Sequence, residues 1–267
     1  MYYMERRIIT SLVLIGITVA AVFFYPICGV VVSAFIAIGL LEFFNMVETK
    51  GVKLFKFFGL LVGIFIPVSI YFRFSIGEGW QFLFVVAGLF LLFLLELTKK
   101  ENYQPIFSIS ATVFGILYIS WCFSFLIRVR QLPGGIALAG FLLAVTKSSD
   151  IGAYLFGRRW GKTPLIKRIS PQKSLEGALG GFVFSLGVGA FFSFFVKDTL
   201  FFSEKIFITA VLAIIAQLGD LFESLLKRDC GVKDSGNIFP GMGGVLDVID
   251  SIIFTAPTFY LYLTMVR

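Results

Sequence analysis

Apolar residues run along this chain in long, nearly unbroken stretches, divided by short polar segments that carry most of the charge. A helix crossing about 30 Å of hydrocarbon needs roughly 20 mostly apolar residues. Nine stretches reach that length, at about 8–25, 27–47, 54–72, 80–97, 106–127, 134–156, 175–196, 206–226 and 246–265. The pattern predicts an all-α fold, a polytopic membrane protein with about nine transmembrane helices. Arg6 and Arg7 give the first stretch the look of a signal peptide, but eight further spans favour a retained first helix. No stretch is left over for a soluble domain.

Composition agrees. Of 267 residues, 58% are hydrophobic and 15% charged, against about a quarter charged in an ordinary soluble domain. There is no histidine, which removes the commonest general base and every Ser-His or Cys-His nucleophile pair. Any chemistry must run on carboxylates, cations, hydroxyls and metals with oxygen ligands. Cys28, Cys122 and Cys230 lie far apart, form no CxxC pair and read as free thiols, two of them in lipid.

The cations set an orientation, because Lys and Arg in short loops stay on the cytoplasmic side. With the N-terminus inside, the cytoplasmic segments hold Arg6, Arg7, Lys50, Lys53, Lys56, Lys99, Lys100, Arg158, Arg159, Lys162, Lys167, Arg168, Lys173, Lys227, Arg228 and Lys233. The outer segments hold only Arg73, Arg128, Arg130, Lys197, Lys205 and Arg267, and the C-terminus falls outside. Two connections, 157–174 and 227–245, concentrate the charge and are where polyanions are expected to bind. The chain divides accordingly into a lipid-embedded scaffold, 1–130, and a region, 131–267, that carries both connections, in a multi-pass protein of the inner (plasma) membrane with these connections facing the cytoplasm.

Charges inside a bilayer cost at least about 2.5 to 3.5 kcal/mol at a helix centre, so each one is a functional candidate. The spans contain Glu42, Lys147, Asp150, Asp220, Glu223, Asp247 and Asp250, with Glu96 at a helix end. Asp220, Glu223 and Ser224 share one helix face, and so do Asp247 and Asp250. Lys227 lies one turn beyond Glu223. Two acidic faces without matching cations suggest a bound metal, and carboxylates with hydroxyls favour a hard ion such as Mg²⁺ bridging to substrate phosphates. The plainer alternative is structural ion pairing with Lys147, Lys227 and Arg228. Glu42 and Glu96, taken singly, read as charges that snorkel to the interface.

Gly241, Gly243 and Gly244, after Pro240, open onto the last helix, whose N-terminal N–H groups would suit an anion. Gly157 to Thr163 superficially suggests a Walker A loop, but it is one residue short and follows a membrane helix rather than a strand. The glycines of 177–181 fit close helix packing better than ligand contact.

The stretch Ser224-Leu-Leu-Lys-Arg-Asp-Cys-Gly-Val-Lys-Asp-Ser-Gly-Asn-Ile-Phe-Pro-Gly-Met-Gly-Gly-Val-Leu-Asp-Val-Ile-Asp250 resembles the signature of the phosphatidate cytidylyltransferase (CDP-diacylglycerol synthase) family. A second block, Asp150 to Tyr154 through Gly157-Arg158, Gly161-Lys162 and Ser170-Pro-Gln-Lys-Ser-Leu-Glu-Gly177, looks like the same family's other motif region. The two cover roughly 145–255. The chain departs from the pattern twice: Met242 stands where the family has His, and Val248 where it has Arg, which removes a guanidinium able to clamp a phosphate.

The resemblance implies the reaction of CTP with phosphatidate to give CDP-diacylglycerol and pyrophosphate in phospholipid biosynthesis. The attacking group is already a phosphate oxyanion, so no histidine base is required. The reaction needs charge neutralisation by metal and cationic clamps. It implies Asp220 and Asp247 as principal ligands of Mg²⁺, with Asp250, Glu223 and Asp150 behind them and a second metal ion as an alternative. Asp220, Asp247, Lys227 and Arg228 form the catalytic set, and Lys173, Ser174, Ser224, Lys233, Gly243 and Gly244 the phosphate-binding set. The partners are phosphatidate, CTP and membrane lipid, without nucleic acid, and a homodimer is expected. Two readings compete: a CTP-dependent polyprenol or dolichol kinase, and a lipid transporter without nucleotide chemistry.

Overall fold

The computed structural model describes residues 2–74, 78–99, 104–196 and 200–266, with side chains undescribed for residues 2–7 and 78–82. Lys100, Lys197 and Arg267, and the side chains of Arg6 and Arg7, lie outside the described residues. Helices account for nearly all of the rest: α1 (Tyr2–Phe23), α2 (Tyr25–Glu48), α3 (Lys56–Tyr71), α4 (Glu78–Leu97) and α5 (Pro105–Gly115). A π turn (Ile116–Trp121) carries α5 directly into α6 (Cys122–Gln131), so that Pro105–Gln131 is one rod. Then come α7 (Gly135–Trp160), α8 (Leu175–Phe192), α9 (Phe202–Asp229) and α10 (Leu246–Val266).

Each rod lies where an apolar stretch was expected, but the rods differ in reach. Six are long and apolar enough to cross a membrane: Tyr25–Glu48, Pro105–Gln131, Gly135–Trp160, Leu175–Phe192, Phe202–Asp229 and Leu246–Val266. The apolar parts of the other three, Ile8–Phe23, Lys56–Tyr71 and Leu83–Leu97, are shorter. The 16 residues of α3 rise about 24 Å at 1.5 Å per residue, less than the hydrocarbon thickness.

The expectation of an all-α chain needs one correction. Within the connection 157–174, α7 continues to Trp160, and Pro164–Ile166 (β1) pairs antiparallel with Ser170–Ser174 (β2). Pro164 has no N–H with which to resume the helix after Gly161. The hairpin ends at Ser174, whose Oγ accepts the N–H of Gly177 at 3.1 Å and caps α8.

Helices α7 and α8 form the most extensive pairing in the bundle. A Cβ on Gly181 would lie 2.6 Å from the Ser149 carbonyl oxygen, so only glycine permits this approach. The glycines of 177–181 are thus used inside the chain and give no argument for a dimer. The interior is closed by Ile36, Leu40 and Phe44 of α2, Ile127 of α6, Leu138 and Phe141 of α7, Leu212 of α9 and Phe259 of α10, all buried. Exposed Ile8, Leu12, Val85, Val86 and Phe90 on α1 and α4 present an apolar exterior, as a lipid-facing surface requires.

Several basic connections meet at one end of the bundle. Lys50 pairs with Asp229, the Thr49 hydroxyl donates to the Cys230 carbonyl at 3.1 Å, and Lys99 Nζ donates to the Lys53 carbonyl at 3.0 Å.

Candidate active site

Four elements converge beneath that basic end. From β2, Lys173 Nζ lies 2.6 Å from Asp220 Oδ1 on α9 and donates to Ser224 Oγ at 3.2 Å, one turn along the same face. A further turn on, Lys227 pairs with Glu223 at 2.6 Å and donates to Asp247 Oδ1 on α10. Glu223 is 1% exposed, and the Lys227 ammonium is the partner of its carboxylate. On α7, Lys147 Nζ reaches Asp150 Oδ2 at 3.1 Å, Ser251 Oγ at 3.0 Å and the Val248 carbonyl at 2.8 Å. Asp250, buried on α10, lies within Coulombic reach of Asp220, Glu223, Asp150 and Lys147.

The start of α10 is held by two carboxylates. Asp247 Oδ2 accepts from Gly244 N–H at 2.8 Å, Ser235 N–H at 2.9 Å and Ser235 Oγ at 2.8 Å. Glu42, on α2, accepts from Val245 N–H and Leu246 N–H, each at 2.9 Å, and from Ser235 Oγ at 3.1 Å. The first N–H groups of a helix have no partner within it, and here Glu42 and Asp247 provide them. Ser235 joins both carboxylates, fixing the 230–245 connection at its middle and at its end.

This geometry revises several expectations. Glu42 does not snorkel: it is 6% exposed and engaged three times over. Gly243 and Gly244 offer no open donor to a phosphate, because Gly243 N–H bonds the Phe239 carbonyl and Gly244 N–H bonds Asp247. Asp247, expected beside Asp220 on a metal, has one oxygen on Lys227 and three donors on the other. Lys227 is buried between two carboxylates, while Arg228 is exposed and donates to the Ile169 and Val232 carbonyls at 3.3 Å, bracing the hairpin against the connection. Lys233 is exposed, and Ser174 is a helix cap.

Sequence reasoning missed Ser235 and Tyr118. The Tyr118 hydroxyl, on the π turn, is buried without a hydrogen-bond partner among the described residues and lies within Coulombic reach of Glu223, Asp250 and Asp220. The one signal available was its position in an apolar span, which an ordinary core tyrosine shares.

Among the described residues, no three carboxylate, thiol or imidazole side chains stand close enough to hold an ion as they are placed. The donor chemistry nevertheless fits a hard divalent cation. Asp220, Glu223 and Asp250 share one electrostatic neighbourhood, and the Tyr118 hydroxyl is buried beside them without a hydrogen-bond partner among the described residues. A buried hydroxyl without a partner beside three carboxylates suits a ligand.

Comparison with known proteins now bears on these residues. The model of the cytidylyltransferase family matches residues 5–266. The chain belongs to that family. Its similarity to individual members is also nearly end to end. It is 33% identical to the phosphatidate cytidylyltransferase of Bacillus subtilis over 269 residues, covering 98% of each chain. It is 33% identical to that of Brucella suis, covering 97% of this chain and 93% of the other, and 29% identical to that of Synechocystis, covering 88% and 87%. Family membership thus extends through α1 to α6, beyond the two motif blocks.

Proposed function

We propose that this protein is a CTP:phosphatidate cytidylyltransferase, a nucleotidyltransferase of phospholipid synthesis that makes CDP-diacylglycerol and pyrophosphate. The observation that supports this most directly is similarity over the whole chain to enzymes of that name, together with a lysine-carboxylate site at the end of a helix bundle. A phosphate oxygen of phosphatidate attacks the α-phosphorus of CTP; the new P–O bond forms as the bond to the pyrophosphate oxygen breaks.

A divalent cation, Mg²⁺ by donor type, would be held by Asp220, Asp250 and Glu223, and would offset the repulsion between two phosphate groups. The protein's own contribution is electrostatic positioning. Lys173 turns from Asp220 toward the triphosphate, and Ser224 keeps its ammonium on the α9 face. Exposed Arg228 and Lys233 draw the nucleotide to the mouth of the site. Buried Lys227 holds Asp247, and with it the connection that closes over the phosphates. A nine-span arrangement in which the three shorter rods also cross, with the N-terminus and the site on the cytoplasmic side of the inner membrane and the C-terminus outside, completes the proposal; its orientation is supported by the clustering of cations at one end. Homodimer formation is carried by the family resemblance alone.

The test is incorporation of α-labelled CTP into lipid by purified protein in mixed micelles. Wild type is expected to yield labelled CDP-diacylglycerol with release of pyrophosphate, abolished by chelation and restored by Mg²⁺. Asp220→Asn is expected to lose transfer while keeping its elution profile. Lipid monophosphate with CDP, or lipid uptake into vesicles without nucleotide turnover, would overturn the assignment.

A further inference from the structure

Lys147 sits at a boundary. It lies midway along α7, about 18 Å from Gly135 at 1.5 Å per residue. It pairs with Asp150 at 3.1 Å and lies within Coulombic reach of Asp220 and Asp250. It also lines a cavity walled by α1, α2, α6, α7 and α10, together with Val248, Ile249, Ile252 and Leu143. Its side chain keeps 37% of its surface accessible.

That cavity adjoins a larger one of about 860 Å³, with Thr18, Val22, Arg130 and Leu143 common to both. The larger space is bounded by α1, the first turns of α7, Phe191 and Phe192 at the end of α8 and Phe195 just beyond it, and its size is within the range of ligand sites. Arg130 is the other charged residue lining these cavities, and it is tied to the end of α1 through the Val22 and Phe23 carbonyls at 2.7 and 3.1 Å. Lys147 is therefore the cation that faces both the carboxylates and the apolar space.

We propose that Lys147 anchors the phosphate of the membrane-embedded lipid substrate, a diacyl phosphomonoester, and that the acyl chains run from it through the paired apolar cavities between α1 and α7. This deepens the proposed function and rests on it. Two of the three acceptors around Lys147 Nζ are neutral, the Val248 carbonyl and the Ser251 hydroxyl. A phosphate oxygen is the stronger partner for an ammonium and replaces one of them. The position also accounts for Val248. The family signature has Arg there, and in this chain Lys147 brings a cation from the neighbouring helix to the backbone of that same residue.

The experiment measures initial rates against dipalmitoyl phosphatidate and against CTP for four variants in mixed micelles. Lys147→Met is expected to raise the KM for phosphatidate about tenfold or more, the loss of one charged hydrogen bond, with the KM for CTP little changed. Adding Val248→Arg to Lys147→Met is expected to restore the lipid KM. A purely structural lysine predicts the reverse: Lys147→Met/Asp150→Asn restores activity and Val248→Arg does not, which would overturn the proposal. Gly140→Trp probes the chain path independently, because the space at Gly140 is open in the larger cavity. It is expected to raise the KM for dipalmitoyl but not for dihexanoyl phosphatidate, and equal effects on both would also overturn it. If Lys147→Met fails to accumulate, the charge-restored double variant and Gly140→Trp decide the matter. A wild-type protein forming no CDP-diacylglycerol refutes the activity itself, an outcome distinct from any of these.

Discussion

Glu42 on α2 accepts the backbone N–H of Leu246, 204 residues along the chain, at 2.9 Å. The bond joins a helix of the N-terminal half to the first turn of the last helix. Together with Asp247 and Ser235, it makes the 230–245 connection a clasped loop.

Glu42→Ala is therefore expected to leave two buried N–H groups without acceptors, each worth about 1 to 3 kcal/mol. Thermal unfolding in detergent should show a clearly lowered midpoint, and turnover should fall with it. Glu42→Gln keeps one acceptor oxygen and should fall between wild type and the alanine variant. An unchanged midpoint in Glu42→Ala would remove the clasp.

Lys227 lies between Glu223 and Asp247, and all three are nearly enclosed. Breaking a buried ion pair by removing one partner costs about 3 to 5 kcal/mol, because it strands the other charge. Lys227→Met should be among the most destabilising single changes in the protein. Lys227→Met/Glu223→Gln should recover part of the loss, since one stranded carboxylate becomes neutral; a double-mutant cycle by chemical denaturation reads the difference.

Two glycines on α8 should behave oppositely. Gly181→Ala places a methyl against the Ser149 carbonyl and should cost about 1 to 3 kcal/mol through overpacking between α7 and α8. A Cβ on Gly187 meets nothing within 4 Å, so Gly187→Ala should be neutral or stabilising by about 0.5 to 1 kcal/mol. Midpoints of both variants, measured side by side, test the pairing.

The metal-free and metal-loaded states should also separate the carboxylates by role. Asp220→Asn should weaken Mg²⁺ binding by calorimetry without a large change in unfolding midpoint, whereas Asp247→Asn should lower the midpoint. Equal effects on both readouts would count against the division of labour between them.

The sequence alone determined the helices, because a segment that must satisfy its backbone groups within lipid has little choice but to be helical. It also marked the few ionisable residues within the apolar stretches, since the cost of burying charge keeps them few. Even there, the reach of α3 and the hairpin between α7 and α8 lay beyond it, because the apolar pattern does not report where a helix stops or what a polar connection does. Only the tertiary structure decided the partners. Val245 and Leu246 find their acceptor on Glu42, Lys147 finds the backbone of Val248, and Lys173 finds Asp220. These pairings depend on which helix faces lie against each other, and periodicity along one helix carries no information about its neighbour. The acids and the glycine turn were visible in the sequence, but whether a carboxylate serves a metal or a helix terminus depends on donors supplied from distant parts of the chain.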